Sequence, residues 1–332
     1  MKPAIINIVF LMGSLCCTAQ RVNFEPSLNI ALDKAKQQNK MLFVEYYNAE
    51  CPVCQKLEPV FADKELGKFY NDNFINYKLN TEHIKKEDSL FINKAGLSFT
   101  SVPYFLFFDT DQHFVHYSGT KQDIPYLINA GKTAMDQLER TGSLAAKYNS
   151  GDRTIKTLYA YSNLLDLYKN DSLRKIIADE LFKAYPTANL GLEKSYIIMK
   201  NCVSTIDNGF FKYWIAHVDE IKAFETNAKT AHQANALGDI LQKSINSNDR
   251  KSWDLVKIRS VKEMILKTAM SKDPDAFFWE QESGLLVKEN RNDEAMELFN
   301  KRIANDSGAI SASVYTIDHF LNLLQIKQAW VK

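Results

Sequence analysis

Apolar positions along the chain follow two rules, and the rule changes near residue 150. Before that point, runs of strand length alternate with stripes at helical spacing. Leu28, Ala31, Leu32 and Ala35 recur at helical spacing up to Lys40, and Met41 to Tyr47 is a short apolar run. A helix is expected from Cys51 to Tyr70, interrupted at Pro59, with a second strand over Phe74 to Leu79. Ser89 to Ala95 reads as a short helix closed by Gly96, and Tyr104 to Phe108 as a dense aromatic strand. Asp109-Thr110-Asp111-Gln112 reads as a turn into a short strand, Phe114 to Tyr117. Gly119 breaks the pattern, and Gln122 to Leu144 is expected to close the unit as a helix. Strands alternating with helices predict an α/β layered domain.

After residue 150 the strands disappear. Tyr161, Leu164, Leu165 and Tyr168 follow i, i+3, i+4, i+7, as do Phe211, Trp214, Ile215 and Val218. Similar stripes run through 173–185, 228–243, 253–269, 275–289, 292–304 and 310–328. Short polar breaks separate them, which implies antiparallel helical hairpins in a bundle or solenoid. Ala178-x3-Phe182 and Ala295-x3-Phe299 are fragments of the tetratricopeptide pattern. No 34-residue period is sustained, so the region is all-helical and tetratricopeptide-like at best.

Composition narrows the classes. A chain of 332 residues with 45% hydrophobic and 24% charged residues suits two globular domains. A net charge of +1 marks neither a nucleic-acid binder nor a polybasic membrane-surface protein. Twelve Gly and eight Pro are too few for an all-β chain of tight turns or for disorder.

The first residues read as a secretory signal. Lys2 supplies a positive start, Ala4 to Leu15 a short apolar run, and Cys17-Thr18-Ala19 small residues before a cleavage site, leaving Gln20 as the mature N-terminus. Export to the periplasm is therefore expected, with lipid anchoring at Cys16 or Cys17 as the less favoured form. Removing residues 1–19 leaves Cys51, Cys54 and Cys202, too few for a disulfide scaffold.

Cys51-Pro52-Val53-Cys54 follows an apolar strand and opens a helix. Pro52 suits the first helical position, where its missing N–H has no partner. The unpaired N–H groups of a first turn favour an anion, so Cys51 is expected to ionise more readily than an ordinary thiol. Cys54 lies one turn further on, within reach of a disulfide. Cys51 is then the attacking thiolate and Cys54 the resolving thiol. Half of a zinc site is a competing reading, although neither a second cysteine pair nor a matching histidine pair accompanies it. An inert structural disulfide is another.

Residues 41 to 119 resemble the thioredoxin superfamily, most of all exported thioredoxin-like domains similar to the C-terminal domain of bacterial thiol:disulfide interchange proteins. Phe43-Val44-Glu45-Tyr46-Tyr47-Asn48-Ala49-Glu50 leading into Cys51-Pro52-Val53-Cys54 carries the resemblance. Glu45 six residues before the first cysteine, Pro59 five after the second, Lys78, Val102-Pro103 and Gly119 match further family positions. The resemblance implies a central mixed sheet flanked by helices for residues 20–145, followed by the α-helical domain of 146–332. It also implies that a desolvated Glu45 takes the Cys54 proton through a water while Lys78 modulates it, a plain buried ion pair being the alternative. Pro103 is expected to follow a cis bond, with an ordinary trans proline as the alternative. The Val102 backbone would pair with a substrate strand, and Pro52 and Val53 would complete the substrate-facing rim.

Two departures bear on direction. Glu50 stands where thioredoxins usually have Trp, and a carboxylate beside Cys51 is expected to oppose its ionisation. Val53 cannot stabilise a thiolate as the His of strongly oxidising relatives does. Both favour a reductant over an oxidant.

Cys202 lies in a mostly apolar stretch, where an inert core thiol is the default and a third-cysteine relay the alternative. His113 and His116 on a strand point to opposite faces, which argues against a shared metal. The sequence reading is thus an exported thiol–disulfide oxidoreductase acting on protein disulfides, with no metal or organic cofactor implied and no nucleic-acid partner. A membrane thiol:disulfide interchange protein or another thioredoxin-like protein is the expected electron donor. The alternatives are a disulfide isomerase or oxidase, or an adaptor whose helical domain grips a partner.

Overall fold

A computed structural model describes residues 21–119, 121–225 and 235–305, together with residue 322. The signal expected over 1–19 lies outside the described residues, as do the start of the 228–243 stripe and all of the 310–328 stripe except residue 322. The chain divides into two compact units. One runs to Gly151 and takes in Leu167–Lys169; the other comprises Asp152–Asp166 and the chain from Asn170 onward.

The first unit is a five-stranded sheet covered on both faces. Its strands are β1 (Phe24–Glu25), β2 (Met41–Tyr47), β3 (Phe74–Asn80), β4 (Tyr104–Phe108) and β5 (Phe114–Ser118). Their order is β1-β3-β2-β4-β5; β1, β3 and β2 run parallel, while β4 and β5 are antiparallel to their neighbours. The central β2 is buried on both faces, which is why its sequence reads as an almost unbroken apolar run. Leu42 and Val44 face one core, with Ile75, Leu79, Leu106 and Phe108. Phe43 faces the other, with Phe61, Tyr70, Phe74, Phe105 and Phe107. The first core is covered by α1 (Leu28–Gln38) and α5 (Lys86–Lys94). The second is covered by α3 (Glu58–Phe61), α4 (Lys64–Asn73) and α6 (Ile124–Met135), α3 being preceded by the short α2 (Pro52–Gln55).

Two expected helices are broken in the structure. The helix expected over Cys51 to Tyr70, with one interruption at Pro59, is divided twice, into α2, α3 and α4. Pro59 lies in the first turn of α3 rather than at a kink, because it has no N–H with which to continue α2. Asp63 then caps α4, its carboxylate accepting the N–H groups of Glu65 and Leu66. The helix expected over Gln122 to Leu144 stops at Met135. Asp136 Oδ1 accepts the N–H groups of Leu138 and Glu139 and turns the chain away. A 3₁₀ turn, Thr141–Ser143, follows, and then α7 (Leu144–Asn149). That turn lies along β5: Tyr117 N–H donates to Thr141 Oγ1 at 3.2 Å, and Thr141 N–H donates to His116 Nδ1 at 3.1 Å. Gly142 allows the approach, since a Cβ there would lie 2.9 Å from the Val115 carbonyl oxygen.

The second unit is helical, as its stripes predict: α8 (Ile155–Leu167), α9 (Asp171–Ala184), α10 (Glu193–Cys202), α11 (Gly209–Ala216), α12 (Lys222–Glu225), α13 (Asn235–Ile245), α14 (Leu255–Lys267), α15 (Asp275–Lys288) and α16 (Asn292–Asn305). Successive helices from α13 to α16 pack against one another, as do α10 and α11. Ala295 is fully buried beside Leu286 and Val287, and Phe299 packs on the same cluster. Lys262 on α14 pairs with both Asp275 and Glu282 of α15, and Lys301 of α16 also reaches Asp275. Among the described residues no helix is long and apolar enough to cross a membrane.

Candidate active site

The pleat of the sheet builds the site. Residues two apart on a strand share a face, so Glu45 shares the face of Phe43, towards α2 and α3. Lys78 likewise shares the face of Phe74 on β3. The two are register partners on adjacent parallel strands. Lys78 Nζ lies 3.2 Å from Glu45 Oε2 and also pairs with Glu58 at the start of α3. The ammonium lies over three rings, 4.8 Å from the centroid of Phe24, 5.3 Å from Tyr47 and 5.2 Å from Phe61. Glu45 is completely buried; its carboxylate has the Lys78 ion pair but no aligned hydrogen bond. Burial pushes this carboxyl up to about 7, against the pull of Lys78 and with a further push from Glu58.

Beyond β2, Asn48 organises the loop. Its Oδ1 accepts the Glu50 N–H at 2.7 Å and its carbonyl accepts the Cys51 N–H at 3.2 Å. Gln55 Nε2 ties α2 back to the Ala49 carbonyl at 2.9 Å. Cys51 occupies the N-cap position in extended conformation, and Pro52 is the first residue of α2. Cys51 is half-buried, whereas Cys54, one turn on, is only 2% exposed; both are free thiols.

The two sulfurs differ in acidity. At Cys51, desolvation opposes a thiolate. Hydrogen bonds from the Cys54 N–H, the Cys54 thiol and the Val53 N–H outweigh it and hold Cys51 below the ordinary thiol range. At Cys54, burial dominates and pushes the thiol up to about 11; the Asn48 N–H counters this, while Cys51 and Glu45 add to it. Glu50 is not among the groups that shift Cys51, contrary to the sequence expectation. Its side chain is exposed, where water screens its charge.

The Val102–Pro103 peptide is cis, Pro103 is buried and Val102 half-buried. Tyr104, which follows, pairs with Tyr46 near the end of β2, so Pro103 lies at the same end of the sheet as the Cys51 loop. Pro52 is exposed, and Val53 presents 46% of its surface to solvent. The fold thus gathers Cys51, Cys54, Glu45 and Lys78 into one cluster, with Pro52 and Val53 on its rim.

Sequence reasoning missed three members of this cluster. Glu58 stands four residues after Cys54, a spacing that could have flagged it. Tyr47 ends a run that reads simply as strand. Phe24 comes from β1, whose two residues leave no periodic signal.

The other singled-out residues lie elsewhere. Cys202, on α10, is fully buried, and burial pushes its thiol up to about 11. His116 is buried against Phe107, and desolvation lowers it to about 4. His113 is exposed on the β4–β5 turn beside Asp109 and Asp111, with potential ligand atoms within 4.8 Å of one another. Asp109 Oδ1 already accepts the N–H groups of Asp111 and His113.

The family model described as Thioredoxin-like matches residues 23–110. Thioredoxin H4 of Arabidopsis thaliana is 30% identical over 56 residues, 17% of this chain and 45% of that protein, so the chain spans under half the length of this relative. The solution structure of a protein from Bacteroides thetaiotaomicron, provisionally designated a disulphide-isomerase, is 27% identical, covering 36% of this chain and 97% of that one, with a TM-score of 0.31.

Proposed function

We propose that this chain, whose residues 23–110 form a thioredoxin-like domain, is an exported thiol–disulfide oxidoreductase that reduces disulfides in protein substrates. The observation that carries the reading is the asymmetry of its two thiols. One is accessible and held in favour of the thiolate; the other is buried and kept protonated.

The exchange has two steps. The Cys51 thiolate attacks one sulfur of a substrate disulfide, forms a mixed disulfide and expels the other substrate sulfur as a thiolate. Cys54 then gives up its proton and attacks Cys51 Sγ. The second substrate sulfur leaves, and Cys51–Cys54 becomes the disulfide. Two electrons pass from the dithiol to the substrate. Glu45, on the same sheet face, serves as the proton acceptor for Cys54. The Val102 backbone, beside the buried Pro103, aligns the substrate strand, and the exposed Pro52 and Val53 meet its surface. A membrane thiol:disulfide interchange protein returns the electrons.

Val53 supports the reducing direction, because its side chain offers the Cys51 thiolate neither charge nor hydrogen bond. Export is supported by the leader pattern of residues 1–19.

The test is the reduction potential of the Cys51–Cys54 couple, read by thiol alkylation after equilibration in graded glutathione buffers with Cys202→Ala as background. A reductant titrates near the thioredoxin range, about −270 mV. A value near about −120 mV would instead make it an oxidase. No two-electron transition at all would leave the helical unit as a binding module and sink the redox reading.

A further inference from the structure

We propose that Glu58 is a positioning residue of this centre: by holding Lys78 it keeps the buried Glu45 carboxyl short of a full counter-ion, and so keeps Glu45 basic enough to accept the Cys54 proton. The inference rests on the dithiol reading above.

The geometry is one ammonium shared by two carboxylates. Lys78 pairs with the wholly buried Glu45 at 3.2 Å and with Glu58, whose side chain is 49% exposed. The lysine has little freedom to leave. Its side chain is only 19% exposed, and its ammonium sits among Phe24, Tyr47 and Phe61.

Charge counting gives the consequence. With Glu58 present, the three groups sum to zero when Glu45 is protonated and to −1 when it ionises. With Glu58 neutralised, they sum to +1 and zero. A site shielded from water favours the neutral sum. Glu58 therefore favours the protonated form of Glu45, and its removal would favour the ionised form.

The remaining groups around Glu45 do not replace Glu58. Cys54 on α2 carries its proton, as does Tyr47 on β2, whose hydroxyl is pushed above its ordinary range by burial. Across β4 the register partner of Glu45 is the uncharged Phe105.

The chemical step uses this directly. As Cys54 Sγ bonds to Cys51 Sγ, the bond from Cys51 to the substrate sulfur breaks, and that sulfur leaves with the electron pair. The Cys54 proton goes to the Glu45 carboxylate. The closer the acceptor's basicity lies to that of the thiol, the easier the transfer. A Glu45 fully paired with Lys78 would be a weaker base.

The experiment follows the Glu45 carboxyl carbon by NMR against pH in the full chain, its resonance assigned with Glu45→Gln. In Glu58→Gln the midpoint should fall by roughly one unit. Glu58→Asp, which keeps the charge, should restore most of it. The acidic limb of the Cys54 resolution rate should move down with the midpoint. An unmoved midpoint in a folded Glu58→Gln protein, or an equal shift in Glu58→Asp, overturns the assignment. The carboxyl titration reads the same whether or not the thiols exchange, so a failure of the redox reading would show separately, at the Cys51–Cys54 couple.

Discussion

Glu45 and Lys78 face each other across adjacent parallel strands with Oε2 and Nζ 3.2 Å apart, yet burial outweighs the pairing and keeps the carboxyl half-protonated near neutral pH. The folded-state value of about 7 lies above the ordinary 4.5, so folding favours the protonated form. This stabilisation is complete below about pH 4.5 and is lost as pH rises through 7, an effect of ~3 kcal/mol if fully expressed. Glu45→Gln removes the titration. The buried His116, lowered to about 4, adds the same pH dependence to both proteins, so the test is the difference: the urea midpoint of the variant should gain on that of the parent from pH 5 to 8, leaving the variant ahead at pH 8. Parallel curves for the two proteins would refute the burial argument.

The three cysteines should react in a fixed order. Cys51 is accessible and ionises below the ordinary thiol range, whereas Cys54 and Cys202 are buried and both pushed up to about 11. At pH 7 a thiol with that acidity is thiolate in only about one molecule in ten thousand. Brief alkylation of the reduced protein, read by peptide mass spectrometry, should label Cys51 at least tenfold faster than either of the others. Comparable labelling of Cys202 would revive a third-cysteine relay.

In the helical unit the ammonium of Lys262 serves two nearly buried carboxylates, Asp275 and Glu282, the latter at 2.8 Å. Lys262→Met leaves, among the described residues, Arg259 at 3.6 Å as the cation paired with Glu282 and Lys301 as the one paired with Asp275. Removing one partner from a buried pair costs about 3 kcal/mol. The expected result is a clear drop in the urea midpoint at pH 7. Equal midpoints for variant and parent would show that Arg259 and Lys301 suffice.

The layered α/β arrangement and the helical array were legible because burial imposes a period, and periods survive in sequence. Glu45, Lys78 and the cysteines were legible because matched spacings located them. Helix endings were not. Asp63 and Asp136 each divert the chain with a side-chain oxygen, and a single Asp in a polar stretch looks the same whether it caps a helix or faces water. Glu58 escaped for a related reason. It is a half-exposed glutamate on a four-residue helix, and only the sheet register brings Lys78 to it. The influence assigned to Glu50 failed because adjacency in sequence does not place a charge in low dielectric.

The 3₁₀ turn against β5 also occupies part of one outer edge of the sheet. An open sheet can grow through either outer strand, adding a second molecule as a further strand. Here one margin is the two-residue β1, too short to template a partner. The other has the Tyr117 N–H and the His116 ring already bonded to Thr141, with Gly142 pressed against the Val115 carbonyl. Both margins of the sheet are thus poorly disposed to add a strand from a second copy of this chain.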